Sequence, residues 1–286
     1  MLNPRVTSVI KSLLSRFQTL HLEYPVDMKP RYGYGKPAHA LLESIISQNR
    51  SEYEEWLKKA LGYLDHLVNI PDMAELKDPL LPGWNNGFLP GLDIVMLYTI
   101  VASVHPETYI EIGSGNSTKV VAKAKAEHHL KTRIVSYDPA PRAEIDQLAD
   151  SISREPFEKT DLGFFANLKS GDIIFVDNSH RIFPNSDATV FFMDVLPYLK
   201  PGVIVHVHDI YLPFDYPQEM CDRYYSEQYA LASFLMANPK KFQTIMPNYY
   251  VSEDQILNKI LNPIWEHPSM PVVERHGGSY WIRIAE

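Results

Sequence analysis

The sequence predicts an α/β protein of three layers, in which helices cover both faces of a doubly wound, mostly parallel sheet that follows a helical extension. Two observations predict this fold. From Asp93 onwards, helical and strand patterns alternate along the chain. The clearest strand segments, 172–176 and 203–207, are continuous apolar runs, which are typical of parallel strands buried on both faces. We therefore expect one main core.

The predicted elements of this region follow one another closely. They are a helix at 93–104, a strand at 109–112, a helix at 118–128, a strand at 133–137, a helix at 142–153, a third strand near 154–158, a strand at 172–176, a helix at 186–199, a strand at 203–207, and closing strands at 242–250 and 279–284. The third strand has the weakest pattern. No internal repeat is visible.

The first 80 residues show helical patterns at 38–46 and 52–67, interrupted by prolines. Nearer the start, apolar residues recur at helical spacing: Val6, Ile10, Leu13, Leu14 and Phe17. This stripe predicts an amphipathic helix that docks onto the protein or onto a second subunit, so a homodimer is a possible assembly.

A turn-rich linker follows at 79–90, with Trp84 and Asn85 in a setting that looks exposed. It is either a simple connection between two parts of the chain or a lid over the cofactor cleft. We place a helical cap and linker at residues 1–92 and the main domain at 93–286.

Composition limits the classes of partner. The chain has 286 residues, a net charge of −8 and a pI near 5.8, and no basic run, which excludes a protein that binds nucleic acid through its phosphates. The single cysteine, Cys221, cannot form an intrachain disulfide. The longest apolar stretch, Ile94–Val104, is too short to span a bilayer. We expect a soluble, cytoplasmic protein without a transmembrane segment.

The stretch from Thr108 to Thr118 indicates a ligand site. A β-branched apolar strand ends in Glu111 and opens into a turn with Gly113 and Gly115, followed by a helical pattern from Ser117. Glycines let the backbone approach a ligand closely, and free N–H groups at a helix start favour acceptor groups. The next strand ends in Asp138, at about the twenty-residue distance where such folds place an acid on ribose hydroxyls. A ribose-bearing cofactor is therefore expected.

This pattern resembles the class I S-adenosylmethionine-dependent methyltransferases, whose first motif reads acid-x-Gly-x-Gly and whose second strand ends in an acid. Glu111, Gly113, Gly115 and Asp138 match it position by position. The resemblance implies a Rossmann-like sheet of seven strands with the last one antiparallel, and S-adenosylmethionine as cofactor. Its methionine and sugar would be held by Glu111 and the turn formed by Gly113, Ser114, Gly115, Asn116 and Ser117, and its ribose by Asp138. Thr118 stands where a dinucleotide-binding turn has a third glycine, which disfavours NAD.

Polar residues also follow the fourth and fifth predicted strands: Asp177 and His180 after one, His208 and Asp209 after the other. The strand order that the resemblance implies makes these strands neighbours, so Asp177, His208 and Asp209 would lie within reach of one divalent metal ion. One imidazole among carboxylates suits Mn²⁺, Fe²⁺ or Zn²⁺ at least as well as Mg²⁺. His180, three residues past Asp177, would then be the general base for a hydroxyl.

These residues are similar to those of the macrocin O-methyltransferase and cephalosporin-hydroxylase-like group. Asp177, His180 and Asp209 match its pattern, whereas His208 stands where the group has an acid. Taken singly, Asp177 could cap a helix and His180 could be a solvated loop residue. His206 shares a face with His208 but lies deeper, and is expected to be a hydrogen-bonded core histidine.

The aromatic loop at 211–217 is expected either to form a wall of an acceptor pocket or to pack against the N-terminal helices, and Tyr224, Tyr225 and Tyr229 to lie on a helix after it. The leading hypothesis is methyl transfer from S-adenosylmethionine to a small-molecule hydroxyl. Alternatives are a metal-dependent hydroxylase, an NAD-dependent oxidoreductase and a non-catalytic binding module.

Overall fold

The computed structural model describes residues 12–13, 20, 22–141 and 144–286. Its centre is a seven-stranded sheet with the order β3-β2-β1-β4-β5-β7-β6. The strands are β1 (Thr108–Ile112), β2 (Arg133–Tyr137), β3 (Ser151–Ser153), β4 (Ile173–Val176), β5 (Ile204–Val207), β6 (Phe242–Pro247) and β7 (Tyr280–Ile284). All pairs are parallel except those made by β7. The predicted fold, a mostly parallel seven-stranded sheet, is confirmed.

The register of the central strands sets the position of the site. Ile112 on β1 pairs with Val176 on β4, which pairs with Val207 on β5. The residues that follow these strands therefore leave the sheet at the same carboxyl edge. β1, β4 and β5 are almost wholly buried. The polar side chains at this edge therefore come mainly from the last residues of the strands and from the residues that follow them.

Helices flank the sheet on both sides. The α-helices are α1 (Ala40–Ser47), α2 (Arg50–Leu61), α3 (Leu64–Val68), α4 (Gly91–Val104), α5 (Asn116–Glu127), α6 (Asp187–Val190), α7 (Gln218–Cys221), α8 (Glu227–Ala237), α9 (Asn248–Glu253) and α10 (Asn262–Trp265). Short 3₁₀ turns occupy Met73–Glu75, Phe157–Lys159, Leu162–Asn167, Leu196–Tyr198 and Leu257–Lys259. All residues of α4 up to Ala102 are buried, which explains its apolar sequence.

The helix predicted at 142–153 is wrong in its described part. Residues 144–150 form turns, and the third strand lies at Ser151–Ser153 instead of near 154–158. Pairing with β2 overrides the local helical pattern, because the backbone and side chain of Asp150 both bond to Ile134. The strand predicted to reach residue 250 ends at Pro247, after which the chain turns into α9.

Two predicted helices are divided into shorter elements. The helix at 52–67 is interrupted after Leu61, where Gly62 begins a turn. The helix at 186–199 consists of α6, a π-helical segment at Phe191–Val195 and a 3₁₀ turn whose second residue is Pro197. Proline cannot donate a backbone hydrogen bond, which accounts for the last of these changes.

The N-terminal part packs onto the same core as the sheet. Ile46 on α1 and Tyr53 and Leu57 on α2 are fully buried in the cluster that contains the strands. The predicted amphipathic helix with Val6, Ile10, Leu14 and Phe17 lies outside the described residues. Trp84 in the linker is buried, so its expected exposure is wrong; its ring packs edge-on against Trp265. Within the described part of the chain, no helix is long and apolar enough to cross a membrane.

Candidate active site

The glycine turn after β1 touches the end of β4. Gly113 has a φ of +85°, and a Cβ atom at this position would overlap the carbonyl oxygen of Asp177. Its N–H donates to the carbonyl of Tyr137 at the end of β2 (2.9 Å). Only glycine combines this backbone conformation with this closeness. The turn therefore has no room for a side chain at its first glycine.

Asp138 lies directly beside this turn. One carboxylate oxygen accepts the N–H of Ser114 and the other accepts the N–H of Ala140, both at 2.8 Å. The hydroxyls of Ser114 and Ser136 are 2.5 Å apart. The structure thus brings Asp138 together with the turn from Gly113 to Ser117, and α5 begins immediately after it at Asn116.

Glu111 lies beneath the turn and is fully buried. Its carboxylate accepts hydrogen bonds from the hydroxyls of Tyr109 (2.7 Å) and Thr118. The Thr118 hydroxyl also accepts the N–H of Gly115 (3.2 Å). Burial raises the pKa of Glu111 to about 7 in spite of these bonds. In this position Glu111 supports the turn from below.

A second cluster of polar side chains follows β4 and β5. Nε2 of His180 lies 3.3 Å from Asp177 and 3.5 Å from Asp209. Nδ1 of His208 lies 3.8 Å from Asp177 and 3.5 Å from Asp209. His180 and Asp209 both have a positive φ, 60° and 55°. Residues held in this strained region often belong to functional sites.

Each histidine has a further acidic partner that the sequence did not reveal. Nδ1 of His180 lies 2.5 Å from Glu227, the first residue of α8, and Nε2 of His208 lies 3.4 Å from Asp93 in the first turn of α4. Asp93 also accepts hydrogen bonds from Asn248, Gly278 and Ser279. Both partners come from distant parts of the chain, and no local motif marks them.

The charges of this cluster depend on one another. Burial alone would lower the pKa of His208, but Asp209, Asp177 and Asp93 outweigh it and raise the value to about 9. Burial likewise opposes the charge on His180, yet Glu227 and Asp177 hold its pKa well above its ordinary value. Burial would raise the pKa of Asp177, whereas the two histidines lower it to about 2. The cluster is therefore a set of ion pairs in which both imidazoles are buried, whereas the side chain of Asp177 is 38% exposed.

Glu227 and His180 act as one unit. Burial raises the pKa of Glu227, while the imidazole next to it acts in the opposite direction. The protonation of one group therefore depends on that of the other.

The predicted metal ligands Asp177, His208 and Asp209 do meet, but the structure does not support a metal site. Both ring nitrogens of His208 face carboxylates, Nε2 at 3.4 Å from Asp93 and Nδ1 at 3.5 Å from Asp209, so the ring is paired with acids on both sides. Within the part of the chain that the structure describes, no group of three or more His, Cys, Asp or Glu side chains is arranged to hold a metal ion.

Two other expectations are answered by the structure. His206 is a core histidine as expected: it is fully buried, stacks on Phe175 and lies 2.6 Å from the hydroxyl of Ser279. The aromatic loop at 211–217 packs against residues 28–39, a segment with bends and turns before α1, since Asp215 accepts the N–H of Arg31 at 2.6 Å.

A family model matches the central part of this chain. The model of a methyltransferase domain matches residues 110–210, which include the end of β1, the glycine turn, Asp138, Asp177, His180 and Asp209. No curated protein matches the chain in sequence. The matched segment spans 101 of the 286 residues and is similar to the methyltransferase domain of that family.

Several solved structures are similar in fold. The S-adenosylhomocysteine-bound methyltransferase PaMTH1 of Podospora anserina is 16% identical, with a TM-score of 0.41 over 84% of this chain and 95% of that one. The plantazolicin methyltransferase BpumL is 11% identical, with a TM-score of 0.41 over 86% and 100%. Coclaurine N-methyltransferase is 8% identical, with a TM-score of 0.38 over 86% and 94%. Similarities of this size do not bear on the substrate of this chain.

Proposed function

We propose that the protein is a class I methyltransferase that transfers a methyl group from S-adenosylmethionine to a hydroxyl group of a small molecule, with His180 as the general base. The observation that carries this proposal is the backbone contact between Gly113 and Asp177. It places the predicted cofactor turn directly beside the cluster that contains His180. A methyl donor and an acceptor hydroxyl must meet in line, and this arrangement supports such a meeting.

In this proposal the cofactor is bound by the turn, by the start of α5 and by one acid. Gly115 leaves open space beside the turn, the first residues of α5 present N–H groups, and Asp138 accepts hydrogen bonds from the ribose hydroxyls. Glu111 contributes by holding Thr118 and thereby the shape of the turn. When bound, the cofactor supplies an activated methyl group on a sulfonium sulfur.

The acceptor oxygen would form its bond to the methyl carbon as the sulfur–carbon bond breaks, and its proton would pass to Nε2 of His180. That nitrogen faces Asp177 and Asp209 at 3.3 and 3.5 Å, so an entering hydroxyl would replace loose ion pairs there. The raised pKa of His180 means that its ring loses the proton only at alkaline pH, and only the unprotonated ring can act as the base. The proposal thus predicts turnover that increases into the alkaline range.

The metal remains a separate prediction. The described side chains do not fit an ion, so no step of the proposed reaction uses one, and the expected Mg²⁺, Mn²⁺, Fe²⁺ or Zn²⁺ is tested by addition after chelator treatment. The homodimer, the boundary between residues 92 and 93 and the cytoplasmic location also remain predictions.

Calorimetric titration tests cofactor binding. Chelator-treated protein is titrated with S-adenosylmethionine, S-adenosylhomocysteine and NAD, each with and without added divalent metal. Binding of the first two alone supports the proposal, and binding of NAD alone contradicts it. A heat of metal binding that is lost in Asp177→Ala would support the predicted metal site.

Release of S-adenosylhomocysteine tests catalysis. The enzyme is supplied with S-adenosylmethionine and sets of sugars, phenols and aliphatic alcohols. We expect turnover with at least one set and its loss in His180→Ala, while Asp172→Asn, a buried acid just before β4, serves as a control for general destabilisation. Cofactor binding without turnover on any acceptor would favour the non-catalytic binding module, and full turnover by His180→Ala would remove the base assignment.

A further inference from the structure

We propose that Glu227 is the positioning residue of His180, and that the two form a buried glutamate–histidine dyad for the proposed methyl transfer. Glu227 is 0% exposed and starts α8, whereas His180 lies 8% exposed in the loop after β4. Their side chains meet at 2.5 Å between Oε1 and Nδ1, across 47 residues of sequence. This inference rests on the proposed function of His180 as the base.

The imidazole is held from several sides. The side chain of Asn178 accepts the N–H of His180 at 2.8 Å, and the N–H groups of Ser226 and Glu227 donate to its carbonyl at 2.9 and 3.3 Å. The ring of Tyr225 stacks on the imidazole with centroids 4.6 Å apart and 19° between planes. These contacts maintain a backbone with φ of +60°, which a histidine does not adopt freely.

The contact with Glu227 decides which ring nitrogen can act. Nδ1–H donates to the carboxylate, so in the neutral ring the lone pair must lie on Nε2. Nε2 is the nitrogen that faces Asp177 and Asp209, at the edge of the sheet where the acceptor is proposed to bind. Without Glu227 the other tautomer and a rotated ring become available, and the base loses its direction.

The charge of Glu227 has a second effect. The titratable groups that contact His180 are Glu227 from α8, Tyr225 before α8, Asp177 after β4 and Asp209 after β5. Glu227 is the one at shortest distance, and its second carboxylate oxygen is buried without a hydrogen-bond partner in the described residues. Its negative charge is therefore directed mainly at the imidazole.

A purely structural role for Glu227 would be to tie α8 to the loop after β4. Glu227→Gln separates the two roles, because glutamine keeps the size and one acceptor oxygen but not the charge. The control is Asp172→Asn, another buried acid, which accepts backbone N–H groups of Thr108 and Lys169 at the opposite edge of the sheet.

The first test is NMR of the imidazole nitrogens in ¹⁵N-histidine-labelled full-length protein without ligand, with His180 assigned by its loss in His180→Asn. We expect a protonated Nδ1 on His180 at all pH values in the wild type, and a ring that titrates about 1 to 3 pH units lower in Glu227→Gln. Asp172→Asn should leave both unchanged. An unprotonated Nδ1, or a ring unaffected by Glu227→Gln, would overturn the dyad even in a protein that binds S-adenosylmethionine.

The second test uses turnover on the acceptor found by release of S-adenosylhomocysteine. We expect Glu227→Gln to lower kcat with little change in KM for S-adenosylmethionine, to move the rising limb of the pH profile to lower pH, and Glu227→Asp to recover part of kcat. Equal loss in Glu227→Gln and Asp172→Asn with an unmoved limb would show a structural role only. Absence of turnover in the wild type would count against the proposed function, and the NMR result would still decide the dyad.

Discussion

Gly113 and Asp177 are in backbone contact, although they follow different strands, and a single added methyl group at Gly113 would overlap the Asp177 carbonyl. Parallel pairing of β1 with β4 places the two residues side by side, and the N–H of Asp177 donates to Ile112 at 2.8 Å. The cofactor turn and the acid–histidine cluster therefore share one rigid piece of backbone. A displacement of either would be transmitted to the other.

Gly113→Ala should destabilise the protein by at least about 2 kcal/mol, because alanine is strained at a φ of +85° and would in addition overlap Asp177. Gly115→Ala is the matched control, since Gly115 has extended backbone and nothing within 4 Å of an added Cβ. Urea unfolding measures both. Equal losses in the two variants would contradict the close contact.

Asp138→Asn should weaken binding of S-adenosylmethionine by about tenfold, as expected when a charged acceptor is lost to a neutral one. The backbone hydrogen bonds of Asp138 can be kept in part by the asparagine oxygen, so the fold should survive. Titration calorimetry gives the dissociation constant. Asp72→Asn, another acid that accepts a backbone N–H, should bind the cofactor like the wild type; unchanged affinity in Asp138→Asn would remove Asp138 from the cofactor site.

Histidine 208 should make stability depend on alkaline pH. Its folded pKa of about 9 exceeds the ordinary value of 6.5, so its contribution is complete below pH 6.5 and is lost as the pH rises through 9. The loss is at most about 3 kcal/mol. Urea unfolding of chelator-treated protein gives the free energy of unfolding at pH 6 and pH 9. The decrease between the two pH values should be smaller in His208→Asn than in the wild type. The same slope in both proteins would mean that the ring is neutral in the fold.

Glutamate 111 should act in a lower pH range. Its folded pKa of about 7 lies above the model-peptide value of 4.5, so the unfolded chain releases its proton first and stability falls as the pH rises from 4.5 to 7. Glu111→Gln should lack this loss, which is about 3 kcal/mol at most. At pH 8 the variant should therefore be as stable as the wild type or more so. An equal loss of stability between pH 5 and pH 8 in the variant and the wild type would contradict the assignment.

The sequence was sufficient to predict the residues that follow each central strand. Apolar runs defined β1, β2, β4 and β5, and the carboxyl ends of neighbouring parallel strands meet at one edge, so Asp138 beside the glycine turn and His180 beside Asp177 could be expected. Local patterns were equally sufficient to recognise His206 as part of the core.

Tertiary contacts decided what the sequence did not reveal. Glu227 and Asp93 read as ordinary acids in the first turns of helices, and only folding brings them to His180 and His208. The helix expected at 142–153 gave way to turns and β3 because Asp150 bonds to the edge of β2. Trp84 looked exposed in a polar linker, but Trp265, far along the chain, supplies its packing partner.

The loop after β5 is held by the segment before α1. Asp215 accepts the N–H groups of Arg31 and Tyr32, and His39 donates to the carbonyl of Pro213, a few residues beyond Asp209. Proteolytic trimming of the chain up to residue 39 would remove these bonds while leaving the glycine turn, Asp138 and every residue of the dyad in place. Such a cleaved protein would lose the contacts that hold the loop after β5, so the integrity of the N-terminus is a property to check before any activity is measured.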